Sequence, residues 1–135
     1  MSNKAITPYD FSVSQGSSGV DSHLLEPKYN LRETAKQLLA LEDHLAQDKK
    51  RCQSCLQKHC LMAEMFIEEA YGLDTKNEYT AVINNTLENF RNIEHALTQD
   101  IKDGTLSDWK CRNYAQRLRA IRKPLVQMTY DLYCH

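Results

Sequence analysis

An all-α, antiparallel four-helix bundle with an extended N-terminal arm is the fold class this sequence predicts, on three observations. Only four of the 135 residues are Gly and three are Pro. No Pro separates Pro27 from Pro124, which leaves about 96 residues without a strong helix breaker. Apolar residues in that stretch recur at spacings of three and four, the period of a helix with one buried face. With 17 basic and 18 acidic side chains the chain is near neutral and sized for one domain, which argues against a multidomain enzyme and against wholesale nucleic-acid wrapping.

Residues 1–29 read as the arm. They hold two of the four Gly and two of the three Pro, and Ser14-Gln15-Gly16-Ser17-Ser18-Gly19 is an extended or flexible run. Tyr9, Phe11, Val13, Leu24 and Leu25 are its apolar anchors, and docking on a neighbouring chain is the use expected of them.

The bundle is expected over residues 30–135. Its first helix should open at Asn30 as N-cap, with Glu33 completing a capping box and Leu31, Ala35, Leu38, Leu39 and Leu45 on one apolar face. Asp48-Lys49-Lys50-Arg51 ends it. A second helix follows from about Cys52 to Tyr71, with Cys55, Leu56, His59, Cys60, Ala63, Phe66, Ile67 and Ala70 on its stripe and Gly72 as the stop. The third should begin near Asp74-Thr75, where Thr75 and Glu78 form a second capping box. It buries Tyr79, Val82, Ile83, Thr86, Phe90, Ile93, Leu97 and Ile101 and ends at Gly104. From about Ser107 the fourth carries Cys111, Tyr114, Leu118, Ile121, Leu125, Met128 and Leu132 at the four-three alternation of a packed seam, with a kink expected at Pro124.

The densest chemical feature is Cys52-x2-Cys55-x3-His59-Cys60, preceded by His44. Zinc takes four nitrogen or sulfur ligands tetrahedrally, and a Cys-x2-Cys step with a His one helical turn later can supply three of them. Positions 52 and 59 of one straight helix lie roughly 10 Å apart along its axis, so Cys52 has to sit in the loop before the helix. His44, Cys52, Cys55 and His59 are therefore the expected ligands of a structural zinc that clamps the first two helices together. Cys60, Cys111, Cys134 and His135 are the substitutes, and buried, unliganded thiols are the alternative.

A Cys-x2-Cys at a helix N-terminus beside Lys49-Lys50-Arg51 also favours thiolate chemistry. Cys52-x2-Cys55-x3-His59 together with Lys123-Pro124 resembles two parts of the flavin-linked sulfhydryl oxidases. The chain departs from that family in lacking the upstream Trp-x3-His pattern, since its only Trp is Trp109, and in lacking a His-Asn pair on the flavin-contacting helix. A second feature is the run from Trp109 to Tyr130, with cations Lys110, Arg112, Arg117, Arg119, Arg122 and Lys123 and no acidic residue. Either it contacts phosphate or an acidic partner, or it is a solvated face paired with Glu88, Glu94 and Asp100. There is no glycine-rich phosphate loop, no Gly-x-Ser-x-Gly elbow and no Glu-x-x-His pair for a di-metal bundle, and no catalytic residue is assigned.

The segments Leu38-Leu39-Ala40-Leu41-Glu42-Asp43-His44-Leu45, Lys50 through His59, and Glu68-Glu69-Ala70 resemble small helical Cys/His proteins of phages and other large DNA viruses. That resemblance implies that His44, Cys52, Cys55 and His59 act as one unit, and it implies a virion or assembly setting. No apolar run reaches the roughly 18 residues of a membrane span, and Met1-Ser2-Asn3-Lys4 lacks a signal-peptide core. The sum of these readings is a soluble protein, cytoplasmic in the producing cell, without membrane contact. It is expected to be non-enzymatic, a zinc-stapled structural or interaction component of an assembly such as a capsid or tail. The alternatives are a nucleic-acid-binding or regulatory module using the fourth helix and a thiol oxidoreductase using Cys52 and Cys55.

Overall fold

Pro27 opens the first helix of the computed structural model, whose described residues are 26–130. The arm anchors from Tyr9 to Leu25, and Leu132, Tyr133, Cys134 and His135 at the other end, lie outside the described residues. Four helices follow in order, α1 (Pro27–Ala46), α2 (Gln53–Leu73), α3 (Thr80–Asp103) and α4 (Asp108–Met128), with a single 3-10 turn at Asp48–Lys50 between the first two. Among the described residues there is no strand. Each helix packs against its two neighbours in the ring α1, α2, α3, α4, with α1 most extensively engaged, against α2 and α4. This is the all-α four-helix bundle the periodicity predicts.

The helix boundaries depart from expectation for local reasons. α1 starts at Pro27 rather than Asn30, because the fixed φ of Pro suits the first helical position and its missing N–H would have no partner there. Asn30 is instead a buried residue inside the first turn, its Nδ2 donating to the Glu26 carbonyl at 3.3 Å. α2 runs through Gly72 and ends at Leu73, since a Gly within a helix weakens it without stopping it. α3 starts at Thr80, not near Thr75. The carboxylate of Asp74 accepts the backbone N–H groups of Glu78 at 2.9 Å and Tyr79 at 3.0 Å and the Thr80 hydroxyl at 3.1 Å. Those bonds close a loop through Asn77, at φ 57°, where a capping box would have begun a helical turn. Gly104 ends α3 at φ 69° and α4 opens at about Ser107, both as expected, and the Ser107 side chain caps it by accepting the Lys110 N–H. α4 continues through Pro124 to Met128.

The core follows the stripes. Leu31, Leu38 and Leu45 of α1, seven residues apart, are fully buried, as are Leu56, Ala63 and Ala70 of α2 to within a percent and Cys111, Leu118 and Leu125 of α4. Leu41 joins them, and Leu39 does not: it is 52% exposed, because its place on the helical wheel falls outside the arc covered by α2 and α4. Tyr79, Val82, Ile101 and Met128 pack on the edge of the core rather than inside it. The buried hydroxyls of Thr34 and Thr129 each donate to the carbonyl four residues back at 2.8 Å, so neither is left unpaired.

At the α3–α4 connection, Asp100 accepts from Tyr114 at 2.5 Å, Thr105 at 2.7 Å and Lys110 at 2.9 Å. These donors, Tyr114 first, hold its carboxyl down at about 2. A depressed carboxyl stabilises the fold above its ordinary value near 4 and loses that effect as pH falls through the folded value.

Leu38→Ala should lower unfolding free energy by about 2–5 kcal/mol, and Leu39→Ala by under about 0.5 kcal/mol, in urea titrations followed by circular dichroism. Asp100→Asn should lower Tm at neutral pH. The gap to the parent protein should narrow from about pH 4 downward and close near pH 2.

Candidate functional site

The turn between α1 and α2 brings the four expected ligands to one end of the bundle, in two pairs. Cys52 is the N-cap of α2: its backbone is extended and its sulfur accepts the N–H of Cys55 at 3.2 Å. It therefore sits ahead of the helix, as the axial-distance argument requires. The Sγ atoms of Cys52 and Cys55 lie 2.8 Å apart and the Ser54 hydroxyl is 3.1 Å from the first of them. One turn further on, His59 meets His44 of α1 with ring centroids 4.8 Å apart at 59°.

Both imidazoles are oriented by their Nδ1 atoms. His44 Nδ1 donates to the Ala40 carbonyl at 2.8 Å, an acceptor that fixes the proton on that nitrogen, and His59 Nδ1 donates to Gln37 Oε1 at 2.8 Å. Each ring thus keeps Nε2 as its open nitrogen, the arrangement in which a histidine binds a metal with its other nitrogen tied to an acceptor. Gln37 was not among the residues singled out from sequence. Its signal was the seven-residue interval to His44, which puts both on the same side of α1.

Electrostatics separates the four cysteines within the described residues. The thiol of Cys52 is pulled down to about 7, first by its hydrogen bond with Cys55, then by Ser54 and the Cys55 amide. The same sulfur contact pushes Cys55 up. Burial pushes Cys60 to about 12 and raises Cys111 as well. Burial also lowers His59, helped by the neighbouring His44 and Lys58, and so favours its neutral form.

The four side chains are not gathered around one centre. Among the described residues no three His, Cys, Asp or Glu side chains form a group that could hold a metal ion as they stand. The substitutes fare no better: Cys60 and Cys111 are buried in the core, and Cys134 and His135 lie outside the described residues.

Arg51 anchors this end. Its Nε donates to the Leu45 carbonyl at the end of α1 at 2.8 Å, and its Nη1 to Asp108 at the start of α4 at 2.7 Å. The cations of the α4 run divide. Arg122 forms a two-pronged pair with Glu42 of α1 at 2.6 and 3.1 Å, and Lys110 pairs with Asp100. Arg112, Arg117, Arg119 and Lys123 make no ion pair among the described residues, and Glu88 and Glu94 pair with no α4 cation there.

Comparison with protein-family models, with curated proteins and with solved structures returns no significant match.

In metal-free, reduced protein, iodoacetamide should label Cys52 first, at a rate rising through about pH 7. Cys60 and Cys111 should label only after unfolding. Mass mapping of the alkylated peptides between about pH 5 and 9 reads both outcomes.

Proposed function

We propose that the chain is a non-enzymatic interaction component whose α1–α2 turn is closed by a zinc ion taken by Cys52, Cys55, His59 and His44. The observation that carries this reading is the convergence at a single turn of two sulfurs and two imidazoles whose Nδ1 atoms are both engaged. The pairs are contiguous: Cys55 and His59 are four residues apart on α2, hence neighbours on its surface. A tetrahedral zinc with bonds of about 2.3 Å holds two sulfurs roughly 3.8 Å apart, so binding parts the present pair by about 1 Å.

The clamp would tie α1 to α2 at the end where the chain reverses, and binding free energy would then add to folding free energy. A small core benefits most from such a staple. The arm supplies the tether to the assembly in this reading.

A second reading rests on a different observation. A vicinal dithiol with 2.8 Å between its sulfurs, the outer thiol at about 7 and its partner raised, is arranged for thiol–disulfide exchange, with Cys52 attacking and Cys55 resolving.

Elemental analysis of reduced, purified protein should find about one zinc per chain, and Co(II) substitution should give the visible bands of a four-coordinate thiolate site. Cys55→Ser and His59→Ala should each abolish binding, and chelation should lower Tm. Metal-free protein whose Tm ignores chelator overturns the clamp. If that protein also forms a mixed disulfide with oxidised glutathione at Cys52 and resolves it onto Cys55, the exchange reading takes its place.

A further inference from the structure

An open groove of about 300 Å³ runs between α1 and α4. Its apolar walls are Ala35 and Leu39, one turn apart on α1, and Val126 of α4 with Tyr130 one turn beyond it. Leu39 is 52% exposed and Tyr130 64%, so two large apolar side chains stand in water here. Lys36 and Arg122 are the charged residues of the lining, and no carboxylate lines it. Both cations have acidic partners, Glu33 at 3.3 Å and Glu42 at 2.6 Å. Lys123 and Arg119, three and seven residues before Val126, lie on the same side of α4 as the groove. Neither makes an ion pair among the described residues.

The walls repeat every four residues of helix, about 6 Å. They suit a segment with apolar side chains at that spacing, and the unpaired cations beside them favour one that carries a carboxylate and no cation. The arm of this chain supplies such a segment. From Ala5 to Leu25 it contains Asp10 and Asp21 and no Lys or Arg. Within that stretch Tyr9, Phe11 and Val13 alternate with Asp10 and Ser12. Residues two apart in an extended segment share a face at about 6.6 Å from each other. Phe11 and Val13 therefore match the repeat of the walls, and Asp10 falls on the opposite face.

The connection has the length the span requires. Residues 14–25, 12 in number, separate Val13 from Glu26, and six of them are Ser or Gly. A linker of that composition has an r.m.s. reach of about 19 Å. Ala35 and Leu39 lie about 12 and 18 Å from Pro27 along the α1 axis. A linker whose reach matches its span holds the attached segment at a millimolar effective concentration. Below that concentration, the arm of the same chain reaches the groove ahead of the arm of a second copy.

We propose that the α1–α4 groove is the docking site of the chain's own N-terminal arm. Phe11 and Val13 sit between the α1 and α4 walls, and Asp10 stands at the rim on the side of Lys123 and Arg119. This rests on the premise of the tether reading, that the arm is a docking segment, and it is independent of the metal clamp.

Chymotrypsin cleavage after Phe11 in the native, full chain, read by mass spectrometry, tests the proposal. Cleavage tracks the undocked fraction, so the parent protein should be cut about tenfold more slowly than Leu39→Asn. Val13→Ser, which leaves the bundle untouched, should match that variant. Neutralising Arg119 and Lys123 together with Gln should speed cleavage about twofold at low salt, a difference that should vanish near 1 M salt. Phe11→Leu, which removes the ring current, should move the methyl resonances of Leu39 and Val126 equally at all protein concentrations from about 50 to 500 μM. Leu61→Asn, at a remote exposed position on α2, should change nothing, and Cys55→Ser should be cut as the parent is, whatever the fate of the clamp. Equal cleavage of the parent and Leu39→Asn overturns the proposal. So do methyl shifts that answer to Leu132→Ser and not to Phe11→Leu, which give the groove to the C-terminal segment. Protection that grows with protein concentration gives it to a second copy's arm, which overturns docking on the same chain and leaves the tether reading standing.

Discussion

Burial of α1 on two sides is the constraint on which the remaining structure depends. Its leucines at 31, 38 and 45 repeat every seven residues and reach zero exposure, with Leu41 filling the arc between α2 and α4. A helix of 20 residues does not hold its shape in water on propensity alone, and packing supplies the difference. Because α1 contacts both α2 and α4, it sets the separation of those two helices, and α3 completes the ring by resting on them. Every side chain discussed as a ligand or contact is positioned relative to that central helix. His44 and Gln37 sit on it, and Arg122 reaches it through Glu42.

Arg51 then couples the ends. A single guanidinium satisfies an α1 carbonyl that has no helical partner and pairs with Asp108 at the start of α4. As an exposed ion pair with Asp108 it contributes little on its own. Its value is geometric. The cysteine pair begins one residue after Arg51 and Asp108 opens α4, so the α1–α2 turn and the start of α4 share one joint.

What the sequence made legible was whatever depends on period and on single capping residues. The stripes of α2, α3 and α4 could be read off, as could Ser107 and Gly104, because helical spacing and local backbone chemistry decide them. Cys52 ahead of α2 followed from rise per residue only on the premise of a metal shared with His59. Other features were settled by contacts between distant positions. Leu39 and Leu41 are equally apolar in sequence, and only the directions from which α2 and α4 approach decide which is covered. Asp74 looked like the start of a helix until its carboxylate is seen holding two amides and a hydroxyl across a loop. The six cations of α4 were alike in sequence; Glu42, at a separation of 80 residues, removed Arg122 from the free set and Asp100 removed Lys110. In the same way, spacing assembled His44, Cys52, Cys55 and His59 at one turn but could not say that they stand as a sulfur pair and an imidazole pair.

The connections are short, with residues 47–52, 74–79 and 104–107 joining successive helices, while the seam between α1 and α4 closes over the whole of α2 and α3. That asymmetry orders assembly in time. Hairpins of neighbouring helices form from contacts close in sequence, the class of topology that folds in microseconds to milliseconds. Bringing Glu42 to Arg122 closes a loop of 80 residues. Relative to a six-residue turn, that closure adds about 2.3 kcal/mol of chain entropy. The α1–α4 seam is accordingly the step that completes the molecule, and an opened bundle exposes first the leucine ladder of α1 that faces α4.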